Sequence, residues 1–170
     1  AVVRSSGTTT MYLDGSSVGT WSDSTTYATC PIIIGDYSTF GTYEWTGYMD
    51  EIRISDDARY TANFTPTTTA FTSDANTMLL IHSNTTMGST TFTDSSSNAH
   101  TVTANGDVMN VAPKIGVGMG AFDGTGDELE IPNSAGFNYG TEDFTVEMWV
   151  SFGDVTINNQ QLMFKRNVTY

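Results

Sequence analysis

Basic residues are scarce in this chain. Six lysines and arginines stand against 19 aspartates and glutamates in 170 residues, giving a net charge of -13 and a pI of about 4.1. Such a surface repels a nucleic-acid backbone or an anionic membrane, so neither is expected as the main partner. There is one cysteine, Cys30, and therefore no disulfide within the chain. It precedes Pro31-Ile32-Ile33-Ile34 and reads as a small core residue. Aliphatic residues never run past three in a row, as at Ile32–Ile34. A spanning helix needs about 20, so no membrane insertion is expected. Helical periodicity is missing as well: no long stretch keeps a 3.6-residue apolar repeat.

What is present is strand material. Thr and Ser are abundant, and Tyr, Phe, Val and Ile recur in short runs. A hydrophobic share of 38% suffices for a core, and 12% aromatics argues against disorder. Turn signals recur about every eight to twelve residues, the spacing of a β-sandwich. Ser6-Gly7 separates Val2–Ser5 from Thr8–Leu13 as a hairpin, and Asp14-Gly15 closes the second strand. Asn105-Gly106, Asp123-Gly124 and Gly126-Asp127 mark further turns.

Alternation assigns faces. In Phe144–Val150, residues Phe144, Val146, Met148 and Val150 share one face, and Thr145, Glu147 and Trp149 the other. In Tyr48–Ile54, strict alternation puts Tyr48, Asp50, Ile52 and Ile54 together, so Asp50 needs a partner if buried. Leu129 and Ile131 face inward, with Glu128 and Glu130 outward. Met78–His82 reads as a short apolar strand. Pro66 and the threonines that follow read as an extended linker over 67–71, or as an ordinary loop within one domain.

Three stretches carry a family resemblance. The first is Ala1-Val2-Val3-Arg4 through Tyr12-Leu13-Asp14-Gly15. The second is Asp50-Glu51-Ile52-Arg53-Ile54 with Phe64-Thr65-Pro66. The third runs from Leu79-Leu80-Ile81-His82 through Asp94–Asn98 and Phe122-Asp123-Gly124-Thr125-Gly126-Asp127 to Phe144–Val150. Together they resemble laminin-G-like modules of the concanavalin-A-like jelly-roll superfamily. The resemblance implies an all-β fold, an antiparallel jelly-roll sandwich. In that family the first two stretches close a module and the third opens one. The chain accordingly divides into 1–66, the closing half of one module; 67–71, a linker; and 72–170, the opening half of a second. Both termini stop in strand-like sequence, so a piece of a longer polypeptide is expected, lacking about 40 residues of module. A tandem array is the favoured arrangement; a permuted packing of the two halves is the other.

The superfamily includes glycosidases. A retaining enzyme needs two carboxylates about 5 Å apart on one concave face. Glu128 and Glu130 have the right parity but sit beside turns, and Glu147 has no second acid two or four residues away. No nucleophile elbow accompanies His82 or His100. No enzyme is expected. The resemblance also implies a structural calcium site, placed at Asp50, Asp94, Asn98 and Asp123, although Asp94 and Asp123 also suit simple turns. Carbohydrate binding would draw on the aromatic cluster between residues 21 and 45: Trp21, Tyr37, Tyr43 and Trp45, with Tyr27 and Phe40 beside them. Half of these rings are equally suited to a core. Asn63, Asn84 and Asn167 begin glycan-acceptor triplets of the kind chance produces in a threonine-rich chain.

Acidic, threonine-rich, cysteine-poor modules of this wording resemble those of bacteriophage tail fibres and capsid-decorating proteins. The expectation is a non-catalytic structural or adhesive module of a large repetitive virion or cell-surface protein. The alternative is a calcium-dependent carbohydrate-binding module of a secreted bacterial adhesin or enzyme. Partners would be other copies, neighbouring modules of a particle or fibre, or cell-surface glycans, at a virion surface or outside the cell.

Overall fold

A computed structural model describes residues 1–36, 43–112, 118–156 and 159–165. The described residues form twelve strands and one short 3-10 turn at Ala135–Phe137. The strands are β1 (Val2–Ser5), β2 (Thr8–Leu13), β3 (Ser16–Ser22), β4 (Ile32–Ile34), β5 (Thr46–Ser55), β6 (Thr77–Ile81), β7 (Thr103–Asn105), β8 (Met109–Val111), β9 (Met119–Asp123), β10 (Glu128–Ile131), β11 (Phe144–Phe152) and β12 (Met163–Lys165).

Two antiparallel sheets face each other. The larger runs β3-β2-β1-β11-β5-β9-β8, with β6 also paired to β5; the smaller runs β12-β4-β10-β7. This is an all-β sandwich of jelly-roll type. Its core packs Ile32, Ile34, Leu129 and Ile131 of the small sheet against Met49, Ile52, Ile54, Leu79, Ile81 and Phe122 of the large one. Trp45, Phe137 and Tyr139 fill the gap between them. Cys30 is buried, as a small core residue should be.

The hairpin β1–β2 forms at the expected residues, with Ser6 at φ 49° and Gly7 at φ 74°. The Asp14-Gly15 turn is alike, and here glycine is required by proximity: a Cβ on Gly15 would lie 1.9 Å from the Phe64 carbonyl oxygen. On β11, Phe144, Val146, Met148 and Val150 face the core as alternation predicts.

Strict alternation fails on β5. Between Glu147 and Trp149 of β11, the partner strand advances by three residues, from Arg53 to Asp50. The extra residue is a β-bulge, with Glu51 at φ 52°. It resets the parity, so Met49 shares the core with Ile52 and Ile54, while Tyr48 stays 40% exposed. Asp50, expected to join Ile52 and Ile54, is buried but is not part of that apolar cluster.

Strands from the two sequence regions interleave. β11 lies between β1 and β5, and β5 carries β9 along Thr46–Met49 and β6 along Ile52–Ser55. Regions 1–66 and 72–165 thus contribute strands to one sheet and side chains to one core. The segment joining β5 to β6 crosses the outer face of the large sheet and is tied to it. The Phe71 amide donates to Glu51 Oε2 at 2.6 Å, and its ring lies 4.1 Å from the Arg53 guanidinium carbon. Tyr60 stacks on Phe64 at 3.6 Å, and Arg59 holds Asp74 at 2.7 and 2.9 Å. Residues 67–71 lie within this strap segment, which Phe71 ties to the sheet.

Candidate functional site

Three turns meet at one end of the sandwich. Asp107 follows the Asn105-Gly106 turn, Asp123 ends β9, and Asp127 precedes β10. One carboxylate oxygen from each lies within 4.8 Å of the others. Asp127 is buried and organises the group. Its Oδ1 accepts from the Asp107 amide and its Oδ2 from the Asp123 amide, both at 2.8 Å. Asp123 Oδ1 accepts from the Thr125 amide at 2.7 Å, and Glu44 Oε1 from the Gly126 amide at 2.9 Å.

Burial pushes the Asp127 carboxyl above its ordinary range, and the charges of Asp123 and Asp107 add to the rise against the two amide bonds. A cation would relieve that repulsion. All donors are oxygens, with Asp107 and Asp123 exposed to receive an ion, so the cluster can hold a hard metal ion.

The cluster borders an open cleft of about 290 Å³ on the outer face of the large sheet, lined among others by Tyr48, Met109, Ala121, Asp123 and Asp127. Tyr48 pairs with Ala121, and Ala121 with Met109, so the three side chains share one face. The cleft therefore joins an exposed aromatic ring to a set of carboxylates.

The expected metal residues are not gathered. Asp123 is in the cluster; Asp50 and Asp94 lie outside it. Asp94 instead organises a turn against β6. It accepts from the Leu80 amide at 3.0 Å, from the Ser96 amide and hydroxyl at 2.8 and 2.9 Å, and from the His100 amide and Nδ1 at 2.9 and 2.8 Å. Burial raises its pKa, but these bonds more than offset that and hold it below the ordinary value. Asn98 spends its amide on the Met78 carbonyl at 3.1 Å. With five donors on Asp94, the capped-turn reading of this loop describes it better than a ligand set.

Among the described residues, the rings of the expected aromatic patch sit in different settings. Trp45 is 1% exposed, inside the core, and unavailable to a ligand. Tyr43 is half-buried. Trp21 is 48% exposed on β3, at the edge of the sheet opposite β8. Tyr37 lies outside the described residues, as does Phe40. Tyr48 is the ring beside the acids. Strict alternation hid it by assigning it to the apolar face.

Glu147, the carboxylate weighed for catalysis, is fully engaged. Arg53 Nε and Nη2 donate to Oε1 at 2.8 and 2.6 Å, and the Tyr60 hydroxyl donates to Oε2 at 2.7 Å. Burial, then Glu147, push the Tyr60 phenol up to about 12, so it remains a donor. Glu128 accepts from the Asn105 side chain at 2.9 Å.

Residues 1–63 match the laminin-G family model described as the concanavalin A-like lectin/glucanases superfamily. No curated protein and no solved structure matches the chain. The match supports a carbohydrate-binding or adhesive module in general.

Proposed function

We propose, for a chain whose first 63 residues match the concanavalin A-like lectin/glucanases superfamily, that this is a non-catalytic adhesive module. It binds a glycan in the outer-face cleft with a calcium ion at Asp107, Asp123 and Asp127. The observation that supports this is the placement of Tyr48 across one cleft from the three carboxylates. An aromatic face stacks on the apolar side of a pyranose ring, and a bound cation takes its hydroxyl oxygens. Calcium suits the irregular, all-oxygen set better than magnesium, which demands a strict octahedron. Catalysis has less support, because the buried Glu147 is already spent on Arg53 and Tyr60. The module would serve a large repetitive protein displayed on a virion or cell surface, with neighbouring modules and surface glycans as partners.

The test is a glycan array with and without calcium, on the whole chain and on Tyr48→Ala. The reading expects calcium-dependent binding that falls at least tenfold in the variant. Binding unchanged by both Tyr48→Ala and chelation would overturn this placement of the site, and an array without hits would overturn the glycan reading.

A further inference from the structure

Side chains on the outer face of β5, β9 and β8 form two neighbouring rows at the cleft. In the first, Thr46 pairs with Asp123, and Asp107 stands two residues before Met109 with the core residue Val108 between them. This row carries oxygens. In the second, Tyr48 pairs with Ala121, and Ala121 with Met109. This row is apolar apart from the hydroxyl at the tip of Tyr48. A step of two residues along the strands separates the rows, about 7 Å.

The second row is high at its ends and low in the middle. Tyr48 and Met109 stand one strand away from Ala121 on either side, about 10 Å apart at the backbone. Ala121 contributes only a methyl group, so the three form a slot with an apolar floor and two apolar walls. Tyr48 is exposed, and Ala121 and Met109 are half-buried, so the slot is open to a ligand. A hydroxyl directed onto Ala121 would leave water without gaining a partner, whereas a methyl group loses nothing there. Charge narrows the choice further. A calcium ion leaves the three carboxylates with one negative charge in excess, and Glu44 adds another at the Gly126 amide. No lysine or arginine lines the cleft among the described residues. An acidic sugar is therefore repelled.

We propose that the ligand of this cleft is a neutral sugar bearing a methyl group, either an acetamido sugar or a 6-deoxy sugar. Two of its hydroxyls bind the calcium ion, and its methyl group sits on Ala121 between Tyr48 and Met109. The proposal rests on the calcium-dependent glycan reading of the cleft and specifies which sugar that cleft selects. One hexose with its substituent spans the step from the oxygen row to the apolar row, so a single sugar unit engages both. The cleft, at about 290 Å³, lies at the small end of ligand sites, which begin at about 300 Å³, and suits a short glycan end rather than a long chain. Ala121 is then the specificity-determining residue, while the carboxylates set the calcium dependence.

The experiment uses the full chain in calcium and two pairs of methyl glycosides: N-acetylglucosamine against glucose, and L-fucose against L-galactose, its 6-hydroxy counterpart. Titration calorimetry should give the methyl-bearing sugar of at least one pair tenfold tighter binding, and the pair that shows the difference names the methyl that the slot takes. Saturation-transfer NMR should mark that methyl as the part of the sugar closest to the protein. N-acetylneuraminic acid, which carries an acetamido group and a charge, should bind no better than glucose. Ala121→Ser keeps the size of the floor but adds a hydroxyl, and should cut the preference to threefold or less. Ala121→Val raises the floor and should bring the methyl-bearing sugar down to its counterpart; a thermal melt shows that each variant folds. Equal affinity within both pairs, with calcium dependence and sensitivity to Tyr48→Ala retained, would overturn this inference and leave the glycan reading standing. So would a preference that neither Ala121 variant alters, or tightest binding of the acidic sugar. Failure of every sugar to bind in calcium would overturn both.

Discussion

Arg53 and Glu147 face each other across β5 and β11 on the outer side of the large sheet, in register and almost out of solvent. Two guanidinium nitrogens reach a single carboxylate oxygen, at 2.8 and 2.6 Å, which leaves the other for Tyr60 on the strap. The ion pair thus fastens the strap as well as two strands. Glu147→Gln removes the charge while keeping the shape, and leaves Arg53 buried without a counter-charge. The expected loss is about 3–5 kcal/mol of stability, read from the denaturation midpoint, against about 1 kcal/mol for Tyr60→Phe. A hydrolytic activity that vanished in Glu147→Gln while the fold held would count against the non-catalytic reading.

Asp23 makes the acid limb of stability specific. Burial would raise its pKa, but bonds from the Thr9 hydroxyl at 2.7 Å, the Thr25 amide at 2.9 Å and the Tyr27 hydroxyl at 3.0 Å prevail and hold it at about 2. Its folded value is below the unfolded one. Its contribution is therefore complete above about pH 4, the unfolded carboxylate value, and is lost as pH falls through about 2. A carboxylate-carbon NMR titration should place Asp23 near that lower value. In Thr9→Val the midpoint should move up; an unmoved midpoint would contradict the assigned cause.

The three-aspartate cluster predicts opposite effects for neighbouring substitutions. Asp107→Asn relieves repulsion on the buried Asp127 without breaking a bond to that carboxylate, so the metal-free chain should be as stable as before or slightly more so. Asp127→Asn turns an NH2 group toward one of two backbone amides, and should cost about 1–3 kcal/mol. The parent should gain thermal stability on calcium titration, and both variants should lose most of that gain. Calorimetry with and without chelator separates the two effects. Because the Asp127 pKa is raised, its charged form works against folding: the related stabilisation is present below the unfolded carboxylate pKa and fades as pH rises through the folded one.

Much of the architecture is legible in the sequence because it is local. Ser6-Gly7 and Asp14-Gly15 bound β1 and β2 through turn chemistry, and alternation in Phe144–Val150 gives the faces of β11. The site is less legible because it depends on register. A bulge at Glu51 leaves no compositional trace in Tyr48–Ile54, yet it moves Met49 into the core. Asp107 and Asp127 sit in turns whose Asn-Gly and Gly-Asp punctuation is visible. Their convergence on Asp123 is set by sheet pairing that no spacing rule supplies. Trp45 looked like its neighbours in the aromatic cluster and differs from Trp21 only in where the sheets close.

Trp45 and Tyr48, three residues apart, should therefore separate stability from binding. Trp45→Ala empties a core position and is expected to cost about 3–5 kcal/mol. Tyr48→Ala touches a 40% exposed ring and should cost about 1 kcal/mol or less, while removing the aromatic floor of the cleft. Equal losses of stability would mean that Tyr48 is a packing residue and would remove the cleft's claim to a ligand.

Gly106 ties the backbone to the aspartate cluster and offers a controlled comparison with Gly126. Both have positive φ, 72° and 71°, so alanine carries a similar backbone penalty of about 1 kcal/mol at either. Their surroundings differ. A Cβ on Gly106 would stand 2.4 Å from Asp127 Oδ1 and 2.5 Å from the Gly126 carbonyl oxygen, whereas one on Gly126 meets nothing within 4 Å. Gly106→Ala must push the two turns apart, and the Asp107 amide then loses its 2.8 Å bond to Asp127. The expected loss exceeds that of Gly126→Ala by at least about 1 kcal/mol, with a weaker stabilisation by calcium in Gly106→Ala alone. If the two alanine variants lose the same stability and respond alike to calcium, the close packing of these turns does not organise the carboxylates.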